Sequence, residues 1–315
     1  MKIIGTTNSQ ISCIWSTIGL SIAELGRNLG LETIIYDRQD FLDRKIQYES
    51  EEVIFIFEAG TPQHAGYTMK DMKAYFPNSK FVCLSSDAII YKEVLGYDQL
   101  DYNYVDVFLD VEDKAVDYVT SKYKNVIGGK WLWTISGGLG NYITDGYFYD
   151  TAVLDRGPPA DRFDFILVAI MSGEYRQNLK KFIMGRGLTI TNGGGCGHED
   201  NDIPRLISHY LASRITLGTT SHNNPKIRGM KGFRDWIGPL TGAPLIYDDY
   251  PQVVAAYGDA VPYYDYNDFE SILVLRERLL DKTVRNNYLK KQCYWIANNT
   301  IELQLNRILK SHGIL

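Results

Sequence analysis

Residues 163–195 read FDFILVAIMSGEYRQNLKKFIMGRGLTITNGGG, and their pattern decides the fold class. The first eight are almost all apolar or aromatic, which is typical of a buried strand. Residues 174–187 carry apolar side chains at helical spacing, and LTIT then returns to strand character before a run of glycines. A strand, a helix and a second strand in this order predict a βαβ unit with parallel strands.

The same alternation continues on both sides of this stretch. Downstream, helix patterns alternate with the predicted strands ITLGTTS (215–221), APLIYDD (243–249) and AVPYYD (260–265). Upstream, residues 1–123 alternate in the same way, starting from the strand KIIGT. Both halves are therefore predicted to be α/β, each a doubly wound parallel sheet of the Rossmann type.

Residues 134–163 interrupt the alternation and predict the connection between two domains. They are rich in Gly, Tyr and Asp and contain Pro158-Pro159. We therefore expect domains at 1–150 and 151–315, facing each other across a cleft, with the C-terminal helix packing back on the first domain. A chain of 315 residues is long enough for two cores.

Charge is distributed unevenly between the two halves. The net charge is −5, from 33 Lys and Arg against 38 Asp and Glu. Residues 1–150 hold 13 basic and 21 acidic residues, a balance of −8, and residues 151–315 hold 20 and 17, a balance of +3. An anionic ligand is therefore expected on the second half. No basic stripe of the kind that marks tight nucleic-acid binding is visible in the composition.

Cysteine usage and hydropathy predict a cytoplasmic protein. The four cysteines are far apart and form no CxxC pair, which argues against a zinc cluster or a disulfide framework. No apolar stretch reaches the roughly 18 residues that a membrane span needs. The N-terminus lacks the basic and apolar regions of a secretory signal.

Three stretches of the second half could bind phosphate. The first is the turn after the strand at 163–170, where Ser172, Gly173 and Arg176 open a helix. Backbone N–H groups at a helix start attract phosphate, and a guanidinium binds it with two parallel hydrogen bonds. The alternative is a surface turn with an exposed arginine.

The second stretch is the glycine loop TNGGGCGHED. Gly193, Gly194, Gly195 and Gly197 would let the backbone approach a ligand closely, and His198 could act as an acid or a base. The spacing matches neither the GxGxxG motif nor a Walker loop, so it gives little support to dinucleotide binding or ATP binding. A flexible, solvated loop is the alternative.

The third stretch places Arg228, Lys231 and Arg234 three residues apart, ahead of Pro239 and Gly242. A helix would place the three cationic side chains on one face, where they could bind a phosphate. A charged, solvated helix face is the alternative.

Residues 234–288 resemble the C-terminal half of GT-B glycosyltransferases, closest to the spore-maturation (CgeB-like) branch of the group 1 enzymes. That pattern has an Arg-x-Phe-Glu helix, a glycine turn, a strand and a Tyr-Asp-x-x-Asp-Leu step. The matching positions are Arg234, Trp236, Gly242, Tyr264, Asp265, Asp268 and Phe269. The segment 163–182 is similar to the strand, turn and arginine that precede this pattern in the family.

The resemblance implies a nucleotide-sugar donor, with a UDP-sugar as the first choice. Arg176, Arg228, Lys231 and Arg234 would bind its diphosphate, the glycine loop would cradle it, and Tyr264 and Asp265 would lie near it. No cofactor and no metal are expected, because cations and a helix start neutralise the leaving diphosphate. The pair Asp248-Asp249 keeps the metal question open. The glutamate of the family falls on Ile237, which leaves donor identity and stereochemistry undecided.

The acceptor is expected on the first domain. Glu58, His64 and Asp87 follow predicted strands and are the candidates for the base that deprotonates an acceptor hydroxyl. One acceptor is a hydroxymethylated pyrimidine of DNA, as in phage enzymes of this architecture, although the acidic first half argues against it. A small molecule, a glycan or a protein is the alternative. A nucleotide-sugar epimerase and a non-catalytic nucleotide-binding protein are the rival functions.

Overall fold

The computed structural model divides the chain into two compact units. Residues 1–138 and 300–315 form the first unit, and residues 139–299 form the second. The residues described are 1–7, 13–59, 63, 65–86, 88–145, 162–168, 173–192, 203–221 and 234–315.

The first unit contains a sheet of six parallel strands. Their order across the sheet is β2-β1-β3-β4-β5-β6. The strands are β1 (Lys2–Thr7), β2 (Thr33–Asp37), β3 (Val53–Glu58), β4 (Ser79–Ser85), β5 (Val107–Asp110) and β6 (Ile127–Lys130). Strands β3 and β4 are buried along nearly their whole length, as expected for a parallel sheet that is covered on both faces.

Helices connect these strands and begin at recognisable caps. The helices up to the boundary of the first unit are α1 (Cys13–Leu29), α2 (Arg38–Leu42), α3 (Met69–Tyr75), α4 (Asp113–Lys122) and α5 (Gly137–Ile143). Helix α3 starts at a capping box, in which Thr68 accepts from the Asp71 N–H and Asp71 accepts from the Thr68 N–H. The last helix, α12 (Ile301–Ser311), also belongs to this unit.

Strand β6 was not predicted, because its sequence IGGK is poor in strand-forming residues. Gly128 allows α4 to approach the sheet closely. A Cβ on Gly128 would lie 2.4 Å from Thr120 Cγ2 and 2.7 Å from Val116 Cγ1, both on α4. Packing of the helix on the strand, rather than strand propensity, accounts for a glycine at this position.

Aromatic side chains fill much of the core of the first unit. Phe55 on β3 packs against Phe76 and Phe81, with ring centroids 4.9 and 5.3 Å away. All three side chains are buried. Because aromatic residues bury large apolar areas, this cluster anchors β3 and the strands beside it.

The second unit contains a sheet of five parallel strands in the order β11-β10-β9-β7-β8. The strands are β7 (Phe163–Ile166), β8 (Ile190–Thr191), β9 (Ser213–Leu217), β10 (Leu245–Asp248) and β11 (Tyr263–Tyr264). Strand β9 ends four residues before the predicted end: Gly218, Thr219 and Thr220 are irregular, and Ser221 forms only an isolated bridge. Residues 218–221 are called the loop after β9 below.

The helices of this unit are α6 (Glu174–Gly185), α7 (Ile203–Leu211), α8 (Ile237–Leu240), α9 (Pro251–Tyr257), α10 (Glu270–Leu280) and α11 (Lys282–Asn298). Leu179 and Ile183 of α6 pack on Phe165 and Leu217 of the sheet, together with Ile272 of α10. Helix α11 starts at Asp281, whose carboxylate accepts from the N–H groups of Thr283 and Val284. No helix in the described parts of the chain is both long and apolar enough to cross a membrane.

Each sheet has one point where the direction of winding reverses. In the first sheet this point lies between β1 and β3, and in the second between β7 and β9. Ligands of doubly wound sheets bind at the carboxyl ends of the two strands at such a point, because the loops that follow them diverge to opposite faces. In the second unit, the loops after β7 and β9 are therefore the expected place for a ligand.

Candidate functional site

Arg176 joins the two loops at the switch point of the second sheet. It lies in the first turn of α6, the helix that follows β7. Its Nε donates to Ser221 Oγ at 3.0 Å, and a terminal NH₂ donates to the Ser221 carbonyl. Ser221 follows β9 and is buried. The predicted phosphate ligand Arg176 thus has one edge of its guanidinium fixed at the site that the topology selects.

The loop after β9 is held by a buried carboxylate. Asp248, the last residue of β10, is fully buried and accepts from the Thr220 N–H at 2.6 Å and from the hydroxyls of Thr220 (2.9 Å) and Thr219 (3.1 Å). The Tyr250 N–H donates to the same carboxylate at 3.3 Å. A buried carboxylate is stable only when it is hydrogen-bonded in this way. The hydrogen bonds to Asp248 therefore come from residues in the loops that follow β9 and β10.

Tyr264 of β11 also contacts the loop after β9. Its side chain is buried, and its hydroxyl donates to the Gly218 carbonyl at 2.9 Å. Burial raises the pKa of Tyr264 well above its usual value, so it remains a neutral donor. Its contact with a donor sugar stays a prediction.

A stacked pair of tyrosines lies beside Arg176. The rings of Tyr175 and Tyr266 are nearly parallel, with centroids 4.0 Å apart and an interplanar angle of 7°, and the Tyr175 hydroxyl donates to the Tyr266 carbonyl at 3.1 Å. Phe269 packs edge-on against Tyr175 at 5.2 Å. This cluster fixes the start of α6 against the segment after β11.

The acidic residues after β11 are exposed and form local turns. Asp265 accepts from the Asn267 N–H at 2.7 Å, and Asp268 accepts from the Glu270 N–H at 3.0 Å at the start of α10. Within the described ranges, no three His, Cys, Asp or Glu side chains come close enough together to hold a metal ion.

The segment at 234–240 enters the core immediately after its arginine. Residues 234–236 form a short 3₁₀ turn that continues into α8. Trp236 is buried and stacks on Trp295 of α11, with centroids 4.5 Å apart at 10°. Ile237, the position that the resemblance aligns with a glutamate, is buried in α8. An apolar residue at 237 suits this burial.

In the first unit, Glu58 stands at the switch point. It is the last residue of β3, half-buried, and its N–H donates to Thr6 Oγ1 of β1 at 3.4 Å. Burial raises the pKa of Cys83 on β4, and the nearby carboxylates of Glu58 and Asp110 raise it further. Glu58 is thus placed by topology where a ligand of the first sheet would bind.

Two further predicted residues lie within the described ranges. Gly173 is the buried N-cap residue of α6, and Arg234 opens the 3₁₀ turn at 234–236. The remaining predicted residues lie outside the described residues; these are His64, Asp87, Ser172, Gly193, Gly194, Gly195, Gly197, His198, Arg228 and Lys231. Their roles stay predictions.

Sequence reasoning missed the polar residues that support Arg176. Residues 215–221 were assigned to one strand, although Thr219, Thr220 and Ser221 follow an apolar strand and precede a basic segment. A run of small hydroxyl residues at the end of a strand is a signal for a loop. The partner Asp248 could not be found this way, because the contact joins different strands.

The comparisons with known proteins bear on the fold. The chain is similar to an alpha-glucosyltransferase in complex with UDP and a 13-mer DNA containing an HMU base, with a TM-score of 0.61, 9% identity and 98% of each chain covered. It is also similar to a glycosyltransferase from Rickettsia africae, with a TM-score of 0.56, 12% identity and 98% and 97% of the two chains covered. The chain has the GT-B fold.

A third solved structure of this GT-B group is sucrose-phosphate synthase from Thermosynechococcus elongatus, with a TM-score of 0.53, 10% identity and full coverage of both chains. No family model matches the sequence, and no curated protein matches it either. The predicted fold class, an α/β chain with two Rossmann-like sheets of the GT-B type, is confirmed.

Proposed function

We propose that this protein is a glycosyltransferase that moves a sugar from a nucleotide-diphosphate sugar to an acceptor hydroxyl. The observation that carries the proposal is Arg176, held by Ser221 at the switch point of the second sheet. A guanidinium fixed at the start of a helix suits a diphosphate, which accepts hydrogen bonds from both. The GT-B fold supports the same assignment by analogy.

The donor half of the proposed reaction belongs to the second unit. Arg176 would bind the diphosphate together with Arg228, Lys231 and Arg234, which follow β9 in sequence. Gly173 and Ser172 would contribute the start of α6, and the loop of Gly193, Gly194, Gly195 and His198 would cover the donor. Support for a UDP-sugar comes from the alpha-glucosyltransferase structures of similar fold, which contain UDP or UDP-glucose.

We propose that departure of the diphosphate is assisted by cations and helix N–H groups, without a metal ion. These groups stabilise the negative charge that develops as the sugar leaves. Asp248 supports this view, because its carboxylate accepts hydrogen bonds from Thr219, Thr220 and Tyr250. A carboxylate committed to four protein donors is a poor metal ligand.

For the acceptor, we propose a hydroxymethylated pyrimidine in DNA, activated by Glu58, His64 or Asp87. The support is the similar structure that contains DNA with an HMU base. The balance of −8 over residues 1–150 opposes it, since DNA binding needs a local basic surface. A small molecule, glycan or protein acceptor is the alternative that this charge favours.

The donor is tested by thermal shift with UDP, GDP, CDP, ADP and dTDP. A ligand that binds the folded protein raises its melting temperature. We expect one nucleotide to do so, and Arg176→Ala and Arg234→Ala to lose most of the shift. If none of the five stabilises the protein, the proposed donor site is wrong.

The acceptor is tested with radiolabelled sugars activated by the nucleotide that the thermal shift identifies. Label should appear on DNA containing hydroxymethylpyrimidine and not on unmodified DNA of the same sequence. Label on a glycan or protein alone would identify the alternative acceptor class. Isomerised sugar formed from the donor alone would indicate an epimerase, and binding without release of diphosphate would indicate a non-catalytic protein.

A further inference from the structure

We infer that Asp248 is a positioning residue of the donor site, which orients Arg176 through the loop Gly218–Ser221. This inference rests on the proposed function, because it assumes that Arg176 binds the diphosphate. Asp248 itself is buried at the end of β10 and acts through other groups.

The first link joins Asp248 to the loop. Its carboxylate accepts from the Thr220 N–H and from the hydroxyls of Thr219 and Thr220, at 2.6 to 3.1 Å. Both threonines are buried. Because the charge lies away from water, any other loop conformation would leave a buried carboxylate with fewer donors, which is costly. The carboxylate therefore selects one conformation of the loop.

The loop is fixed at Gly218 as well. The Gly218 N–H donates to the Ile246 carbonyl at 2.8 Å, and its carbonyl accepts from the Tyr264 hydroxyl at 2.9 Å. A Cβ at this position would lie 2.1 Å from the ring of Tyr247. Successive residues of the loop are thus tied to β10 and β11.

The second link joins the loop to Arg176. The Ser221 N–H donates to Thr219 Oγ1 at 3.2 Å, so Ser221 is oriented by a hydroxyl that is itself bound to Asp248. Ser221 then presents its Oγ and its carbonyl to Nε and a terminal NH₂ of Arg176. Two acceptors on one residue fix both the position and the plane of the guanidinium. A phosphate-binding arginine in a fixed plane loses less entropy when it binds.

The test is a double-mutant cycle on the affinity for UDP, or for whichever of the five diphosphates stabilises the wild type. Asp248→Asn is measured by titration calorimetry in the wild type and in Arg176→Ala. We expect Asp248→Asn to weaken binding about tenfold in the wild type, since the loss of an oriented charged hydrogen bond has about this effect. In Arg176→Ala we expect less than about a twofold further loss, because the two residues act in one chain of contacts.

Two further variants complete the design. Asp259→Asn is the matched control, since it makes the same change on a largely exposed side chain of the same unit, and it should bind like the wild type. Thr220→Val removes one donor to Asp248 but keeps the backbone bond. It should weaken binding about threefold, and it replaces Asp248→Asn if that variant does not fold.

Each outcome decides the inference. Equal losses from Asp248→Asn in both backgrounds would mean a general structural role, and an unchanged affinity would mean no role; either result overturns the proposal while leaving the donor site standing. If the wild type binds none of the diphosphates, the proposed function itself is wrong and the positioning role falls with it.

Discussion

Arg176 Nε donates to Ser221 Oγ at 3.0 Å across 45 residues of sequence. The bond connects the helix after β7 to the loop after β9, the two elements that diverge at the switch point of the second sheet. A cation that is oriented by a protein acceptor before any ligand arrives is a preorganised binding group. This pair is the basis of the donor-site predictions.

Replacing Arg176 with lysine should weaken UDP binding about tenfold, because an ammonium lacks the planar fork that matches both Ser221 and a phosphate. Ser221→Ala should lose less, about threefold, since the carbonyl acceptor stays. Titration calorimetry measures both. Arg186→Lys makes the same change on an exposed residue that follows α6 and should bind normally. Equal losses at 176 and 186 would contradict the assignment.

Glu58→Gln should lower kcat by about a hundredfold or more while leaving UDP affinity unchanged, because a general base contributes to the chemical step rather than to donor binding. Steady-state kinetics with the identified acceptor separates kcat from KM. Glu51→Gln, just before the start of β3, is the control. Full activity of Glu58→Gln would show that Glu58 is not the general base and would leave His64 and Asp87 as the candidates.

Glu302→Gln should make the melting temperature less dependent on pH. Burial raises the pKa of Glu302, whose Oε1 accepts from the Gly137 N–H at 2.9 Å. The folded protein therefore binds the proton more tightly than the unfolded chain, and stability falls as pH rises through the folded pKa. Glutamine keeps the acceptor without the charge.

The measurement for Glu302 is a series of melting curves from pH 4 to pH 9. We expect the variant to gain on the wild type by about 2 °C or more toward the alkaline end. Glu302→Ala, which loses the acceptor, should melt lower at every pH. A constant difference between wild type and Glu302→Gln would show that the pKa of the carboxyl is the same in the folded and unfolded states.

Asp164→Asn should lower stability at neutral pH and have little effect in acid. Burial opposes the ionisation of Asp164, but hydrogen bonds from Thr189 and Arg276 outweigh it and lower its pKa. The stabilisation is present above the pKa of an unfolded aspartate and is lost as pH falls through the lower folded value. Loss of the ion pair between Asp164 and Arg276 should lower the free energy of unfolding by about 1–3 kcal/mol at pH 7.

Urea unfolding at pH 7 and pH 3 measures the effect at Asp164. The gap between wild type and Asp164→Asn should narrow in acid. Asp259→Asn, which removes a largely exposed ion pair with Lys291, should match the wild type at both pH values. If the two proteins differ in free energy of unfolding by the same amount at pH 7 and pH 3, the lost stability comes from packing rather than from charge.

Gly218→Ala should destabilise the second unit by about 1–3 kcal/mol, because the new methyl group would overlap the ring of Tyr247. Thermal melting measures the loss. Gly185→Ala is the matched control. Apart from its chain neighbours and the backbone of its own helix, no atom lies within 4 Å of its Cβ position, and alanine at the end of α6 should be neutral or slightly stabilising. Similar melting temperatures for the two variants would mean that the loop adjusts freely.

Local sequence patterns predict the α/β alternation and point to Arg176 as a candidate phosphate ligand. These features are local, because strand and helix periodicity and a cation after a strand are visible within about twenty residues. The sequence pattern does not predict strand β6, because its two glycines have low strand propensity. The packing of Gly128 against α4 and of Gly129 against Leu109 accounts for them.

The partners of Arg176 and of Asp248 depend on the tertiary fold. Each of these contacts joins residues about 30 to 45 positions apart, and a partner at that separation is chosen by strand order and register rather than by local pattern. Sequence left Asp248 open as a metal ligand. The fold buries it under the loop after β9, where three residues donate to it, and this burial makes it a structural anchor.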